Sequence, residues 1–317
     1  MKKRSISNEL LEMLKTGIFK PIVDIVKVDP YLDMEMRGKD GVMVYYRGGK
    51  VITVNEQLVV EGLDSNYYSK GDKELPLPQQ KDAESFLDYI RLAKEQINLH
   101  ESTIEGGRSK RKLIEKEFQQ RVVFENNLSA NAENTDYFIA DVEWADNNTL
   151  GGRADIVAFR WNHMEHRKRV LQLTLIEVKQ GDKAIKTTFS KDGKPSAGLR
   201  KHYDDYLRFK ENHQYFEKVA SDMLEVLKQK VYLGLIKGLD KLFESGNHKY
   251  TPAIEPTPDF IFLLANYHHY GSILPEECKL LPPESRFFMS SLMGYGLYKD
   301  FAVSMKDLEE KWPFIFE

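Results

Sequence analysis

A single cysteine, Cys278, occurs in 317 residues, which excludes an internal disulfide framework and fits a reducing compartment. No apolar run approaches the ~18 residues that a membrane helix needs, and no apolar signal core follows the basic start Met1-Lys2-Lys3-Arg4-Ser5. These absences lead to the expectation of a cytoplasmic protein with no membrane partner. A phosphate-cradling glycine loop is missing too, because Gly48-Gly49 falls between Met43-Val44-Tyr45-Tyr46 and Val51-Ile52-Thr53-Val54 and reads as a hairpin turn. The chain has no Gly-x-Ser-x-Gly elbow, no internal repeat and no low-complexity tract. Charge of one sign is not in large excess: the formal net charge of −3 argues against a uniformly basic coat. His163-x-x-His166 has a spacing seen in metal sites, but no cysteine or carboxylate pattern accompanies it, so it reads as a solvated turn. Tyr267-His268-His269-Tyr270 reads as a loop after a core strand.

What is present is a pair of strands carrying ionised groups where apolar ones are expected. The first follows Gly151-Gly152 as Arg153-Ala154-Asp155-Ile156-Val157, and the second ends Leu173-Thr174-Leu175-Ile176-Glu177-Val178-Lys179. By period-two alternation Leu171, Leu173 and Leu175 share a face that Glu177 and Lys179 continue. Asp155 is likewise in phase with Val157 and Phe159. Burying such groups on an apolar face costs several kcal/mol unless something compensates. If the strands form a hairpin, pairing Phe159 with Leu173 and Val157 with Leu175 sets Asp155 opposite Glu177, with the turn in residues 162–168. Two facing carboxylates are destabilising without a cation between them, and hard oxygen ligands of this kind suit Mg²⁺ or Mn²⁺.

An Asp strand followed by a strand ending Glu-x-Lys resembles the PD-(D/E)xK nuclease superfamily, over roughly residues 109–265. The resemblance implies an α/β fold with a restriction-endonuclease-like core, a mixed central sheet flanked by helices, and a Mg-dependent deoxyribonuclease activity. In that family a helix before the Asp strand supplies a further glutamate. Residues 110–126 read as such a helix, with Leu113, Ile114, Phe118 and Val122 at helical spacing. Glu117 maps to the helical glutamate, with Glu115 as the alternative. Asp155, Glu177 and the Val178 carbonyl would then hold the metal, reached by Glu117 directly or through water, and Lys179 would orient the attacking water or stabilise charge on the phosphate. The family's Gln-x-x-x-Tyr element corresponds to His202 and Tyr206, a departure at the first position. Ala154 replaces the proline that often precedes the Asp. Gln180, His202, Tyr206 and Arg153 are the expected substrate contacts, and a homodimer is a family habit when both strands are cut.

The distribution of charge agrees with a nucleic-acid partner, which the resemblance implies is DNA before RNA. From Arg160 to Glu211 there are thirteen Lys and Arg against seven Asp and Glu, and Arg108-Ser109-Lys110-Arg111-Lys112 opens the glutamate helix. Phosphate neutralisation needs such local excess, although a solvated face of mixed charge has the same composition. Two other functions suit the same scaffold: gripping nucleic acid without cutting it, or serving as a protein-interaction subunit.

Along the chain, residues 1–105 read as a small N-terminal α+β module and 106–317 as the nuclease-like domain, hinged at Gly106-Gly107. The module holds a short helix over 7–16, strands over 42–60, a turn-rich stretch with Leu75-Pro76-Leu77-Pro78, and a helix over 82–99. Residues 182–198 read as a flexible loop. Residues 199–237 read as helix broken near Asn212, Phe260 to Leu264 as a buried strand, and the last fifty residues as a closing hairpin and tail.

Overall fold

A computed structural model describes residues 2–68, 73–79, 82–103, 107–146, 153–161, 169–245, 248–249, 251–265, 272–289, 297 and 302–311. Gly151, Gly152, the turn 162–168 with His163 and His166, and the segment 267–270 lie outside them. The architecture is α/β, with antiparallel and mixed sheets and several helices. Among the described residues no helix is long and apolar enough to cross a membrane.

The chain forms two compact units. The first comprises Lys2–Ala130 and Asp222–Asp240. Helices α1 (Asn8–Lys15) and α2 (Lys20–Val28) precede an antiparallel sheet of β1 (Leu32–Met36), β2 (Val42–Tyr46), β3 (Gly49–Val54) and β4 (Val60–Glu61) in that order. Ser7 caps α1 by accepting from the Leu10 N–H at 3.2 Å, and Pro21 stands in the first turn of α2, where its missing N–H costs nothing. Arg47 and Gly48, both at positive φ, make the two-residue turn between β2 and β3. Helix α3 (Ala83–Thr103) packs on β3 and α4 (Gly107–Asn127) on β1. The N-terminal segment is tied down by residues far along the chain. Asp222 accepts from the backbone N–H groups of Arg4 and Ser5, at 2.7 and 3.2 Å, while Gln229 bonds both the N–H and the carbonyl of Ile6.

This division differs from the expected one at residues 105/106. The helix of Glu117 packs against β1, and residues 222–240 return to the same unit, so long-range packing groups segments that a linear split separates.

The second unit comprises Asn131–Ser221 and Lys241–Glu317. Its sheet runs in the order β15-β14-β13-β7-β6-β5, formed by β5 (Tyr137–Ala145), β6 (Arg153–Arg160), β7 (Val170–Gln180), β13 (Asp259–Ala265), β14 (Arg286–Met289) and β15 (Val303–Ser304). β5, β6 and β7 are antiparallel, β7, β13 and β14 are parallel, and β15 returns antiparallel to β14. The short β12 (Ala253–Ile254) pairs parallel with the start of β7. β7 is central and buried on both faces from Leu173 to Lys179, which accounts for its nearly unbroken apolar run. Helix α6 (Gly198–Glu211) lies on β13, and α7 (His213–Leu233) starts after the expected break at Asn212. Trp144, Phe209 and Tyr215 form an aromatic cluster, as do Tyr203, Tyr206 and Phe260.

Residues 182–198, expected as a flexible loop, are instead ordered. They form α5 (Asp182–Ile185) and an antiparallel hairpin of β8 (Thr188–Phe189) and β9 (Pro195–Ala197). The polar composition reflects exposure rather than lack of structure, because backbone pairing and the Asp192-Gly193 turn hold the hairpin. The remaining short elements are α8 (Asp240–Phe243), β10 (Glu244–Ser245), β11 (His248–Lys249), α9 (Leu274–Cys278) and α10 (Met305–Lys311).

In the first unit Glu35 and Lys230 form an almost fully buried ion pair, 2.7 Å apart with 0% and 2% side-chain exposure, and Arg37 lies 3.6 Å from the same carboxylate. Lys230→Met leaves that carboxylate without its nearest cation and is expected to cost about 3 kcal/mol. Urea denaturation should show a lowered midpoint, with Glu35→Gln recovering most of the loss when added to it.

Candidate active site

The β6/β7 register is the expected one: Val157 pairs with Leu175 and Phe159 with Leu173. The ladder ends at Ile156 and Ile176, leaving Asp155 and Glu177 as the next residue on each strand. There the Asp155 carboxylate accepts the Val178 N–H at 2.7 Å. A side chain thus takes up a backbone donor where strand pairing stops, so that donor is not stranded.

Glu177 and Lys179 continue the face of Leu171, Leu173 and Leu175, all of them buried. Their side chains are 7% and 10% exposed, and Lys179 Nζ lies 2.5 Å from Glu177 Oε1. Helix α6 adds His202, whose Nδ1 is 3.0 Å from the same Oε1 and whose Nε2 is 3.2 Å from Lys179 Nζ. Lysine only donates and an ionised carboxylate only accepts, so these partners assign the tautomer. Nδ1–H donates to Glu177, and Nε2 accepts from Lys179. Burial, with Lys179 as the next cause, lowers the His202 pKa to about 3, which keeps the ring neutral as this tautomer requires. Glu177, Lys179 and His202 are therefore in mutual contact at the end of β7, and Asp155 is bonded to the backbone of Val178, the residue between the first two.

Glu117 belongs to the first unit, where Arg47 and Arg121 pair with its carboxylate at 3.3 and 2.8 Å. Tyr206, expected to contact substrate, is a core residue: its hydroxyl donates to the Pro258 carbonyl at 3.0 Å and its ring stacks on Phe260. Burial, followed by Asp259, raises its pKa. The i+4 spacing from His202 thus carries Tyr206 into the aromatic cluster. Arg153 is exposed at the start of β6, and Gln180 is half-buried at the end of β7. Val178 is buried and in register with Leu263 of β13.

Asp141 of β5 was not singled out from sequence. It is fully buried, in register with Val157 after an irregularity at Ile139, and so shares by alternation the face of Asp155. The signal was an acid inside the apolar strand Tyr137-Phe138-Ile139-Ala140-Asp141-Val142.

Among the described residues no group of three or more His, Cys, Asp or Glu side chains is arranged to hold a metal ion. Mg²⁺, however, is held by one or two carboxylates, with waters and substrate phosphate completing its shell. Asp155 and Glu177 supply that many hard oxygen donors, so the donor set fits such an ion in kind. Chemically, the cluster pairs a buried carboxylate with an ammonium that a neutral imidazole holds in place.

The His202 shift has a stability consequence. Its pKa falls from 6.5 to about 3 on folding, so between these values the unfolded chain binds the extra proton. The stabilisation is fully present above pH 6.5 and is lost progressively as pH falls toward 3. His202→Gln keeps a polar side chain but does not titrate, so its stability should change less than wild type between about pH 7.5 and about pH 5. Chemical denaturation at the two pH values measures the difference. Searches of protein-family models, curated proteins and solved structures gave no match to this chain.

Proposed function

We propose that the chain is a metal-dependent nuclease that hydrolyses phosphodiester bonds in nucleic acid, DNA before RNA, on a restriction-endonuclease-like core. The observation that carries this reading is the contact of Glu177 with Lys179 and His202 where the β6/β7 ladder ends, with Asp155 bonded to the intervening Val178 N–H. The carboxylates of Asp155 and Glu177, with the Val178 carbonyl, would hold Mg²⁺ or Mn²⁺. When bound, the ion supplies charge neutralisation and lowers the pKa of water to give a nucleophile near neutral pH. Lys179 offers N–H donors to a phosphate oxygen, stabilising charge that grows during reaction. His202 positions Lys179 through Nε2 without adding a second cation. Glu117 is not needed for these roles. A cytoplasmic site of action belongs to the same proposal, and the buried thiol Cys278 agrees with it.

A second function, a nuclease-like scaffold that binds nucleic acid without cutting, is favoured by one observation. Glu177 Oε1 already receives both Lys179 and His202, and a carboxylate held this way is less available to an ion.

Incubating the protein with circular and linear DNA and RNA, in Mn²⁺ or in EDTA, distinguishes the two. Nuclease action predicts metal-dependent products and a loss of roughly 10³-fold in rate for each of Asp155→Asn, Glu177→Gln and Lys179→Met, with melting temperatures reported alongside. Cleavage by all three variants at the wild-type rate would overturn the assignment. Retention of labelled nucleic acid in EDTA, with no product when metal is added, would establish the binding scaffold.

A further inference from the structure

The β8/β9 hairpin carries chemistry that the cluster at the end of β7 does not use. Its base is fixed to the second unit: the Thr187 N–H donates to Glu277 at 2.9 Å, and Asp182 of α5 accepts from Ser272 at 3.0 Å. At the junction with α6, Gly198 has φ +79° and a Cβ there would meet the Lys186 carbonyl oxygen at 2.2 Å, so this close crossing requires glycine. The turn closes through the Gly193 N–H donating to Ser190 O and the Ser190 N–H donating to Lys194 O, both at 2.9 Å. The hairpin is thus held by backbone pairing and by short hydroxyl bonds of Thr188, Ser190 and Ser196, and no side chain of β8 is buried.

Phe189 stands on this hairpin 56% exposed. In the second unit Phe189 and Leu280 are the exposed large hydrophobic residues among those described. Lys183, Lys186, Lys191 and Lys194 surround it in sequence and are all exposed, against one exposed acid, Asp192, among the described residues 181–197. Asp192 lies 3.7 Å from Lys194, an exposed pair of little energetic weight. His202 lies four residues into α6 from Gly198, about 6 Å along the helix axis, so the hairpin leads directly into the element that holds Lys179.

An exposed aromatic ring among lysines matches one ligand chemistry, an unpaired nucleotide. The ring stacks on the base, and the ammonium groups neutralise the flanking phosphates. A paired base offers no free face to a single ring, and a protein partner would more commonly meet an aromatic surrounded by apolar neighbours than by lysines. We propose that the β8/β9 hairpin is a single-strand-binding arm, with Phe189 as the stacking residue and Lys191 and Lys194 as phosphate contacts, which delivers nucleic acid with unpaired bases to the cluster on β7. This inference rests on the nucleic-acid reading of that cluster, and it narrows the substrate to strands with unpaired segments.

The test is equilibrium binding of fluorescently labelled single-stranded DNA, single-stranded RNA and duplex DNA in EDTA, so that cleavage plays no part. Wild-type protein should prefer a single strand to the duplex, with the DNA and RNA arms deciding which sugar is favoured. Phe189→Ala and Phe189→Leu should each weaken single-strand binding about tenfold, and Phe189→Trp should retain it. Lys191→Ala with Lys194→Ala should reduce the slope of log affinity against log salt by about 1.4. Melting curves of these surface variants should match wild type. Equal binding by wild type, Phe189→Ala and the double lysine variant would overturn the arm, as would a wild type that binds no single strand. Metal-dependent cleavage that survives those outcomes would leave the nuclease assignment standing. Hairpin-dependent binding without any metal-dependent product would sink the nuclease and keep the arm.

Discussion

Glu177 and Lys179 stand on a strand buried on both faces, and the surroundings are built so that neither charge is buried alone. Taking two ions out of water carries a desolvation penalty that their attraction offsets only with close geometry and further hydrogen bonds. The close geometry is the 2.5 Å contact between them, and the further hydrogen bonds come from His202. That requirement fixes α6 in register over β7, because a shift of one residue along the helix would swing His202 away by about 100°. Trp144, Phe209 and Tyr215, with Tyr203, Tyr206 and Phe260, supply apolar contacts of the second unit that such a register needs. Tyr206 is a core residue for this reason: one helical turn beyond His202, the same face has reached the aromatic cluster.

The mixed topology explains why the charges sit at the strand end. β7 pairs with β6 on one side only as far as Ile176, while on the other side β13 continues in parallel to Gln180. Glu177 to Gln180 thus keep one neighbouring strand and lose the other. A charged side chain is tolerated there because part of its surroundings is no longer sheet, and the freed Val178 N–H is taken by Asp155. Asp155 and Glu177 are therefore not opposed across an intact ladder, where like charges would repel.

Much of the β6/β7 arrangement was legible in the sequence because period-two alternation is strong there. Leu171, Leu173 and Leu175 fix a face, and the pairing with Val157 and Phe159 follows from matching apolar positions. The break at Asn212 and the core strand from Phe260 to Leu264 were legible for similar local reasons. Features set by distant residues were not. Glu117 was assigned from the family resemblance and its helix face, neither of which reveals its partner Arg47, seventy positions earlier in the β2/β3 turn. The compact units differ from a linear split at 105/106 because residues 222–240, through Asp222, Gln229 and Lys230, pack with the N-terminal segments. The β8/β9 hairpin was hidden because its strands are too short, and too polar, for alternation to register. No expectation covered α2 or β1, where Asp33 and Glu35 interrupt the apolar pattern while being buried with it.

Two buried lysine–glutamate pairs occur among the described residues, and they differ in their access to solvent. Lys230 and Glu35 are 2% and 0% exposed, sealed from solvent, and a sealed pair meets no ligand. Lys179 and Glu177 retain 10% and 7%, and the imidazole bridging them retains 31%. A path for solvent therefore exists at His202 and is nearly closed at Lys230. Charge that is desolvated enough to act strongly, yet reachable by a phosphate, is the condition for electrostatic stabilisation of a reacting group. A wholly exposed pair would be screened, and a wholly enclosed one would be structural. By that criterion the pair on β7 is the one the proposed function can draw on, and the net charge of −3 is no obstacle to that proposal because the field that matters is local.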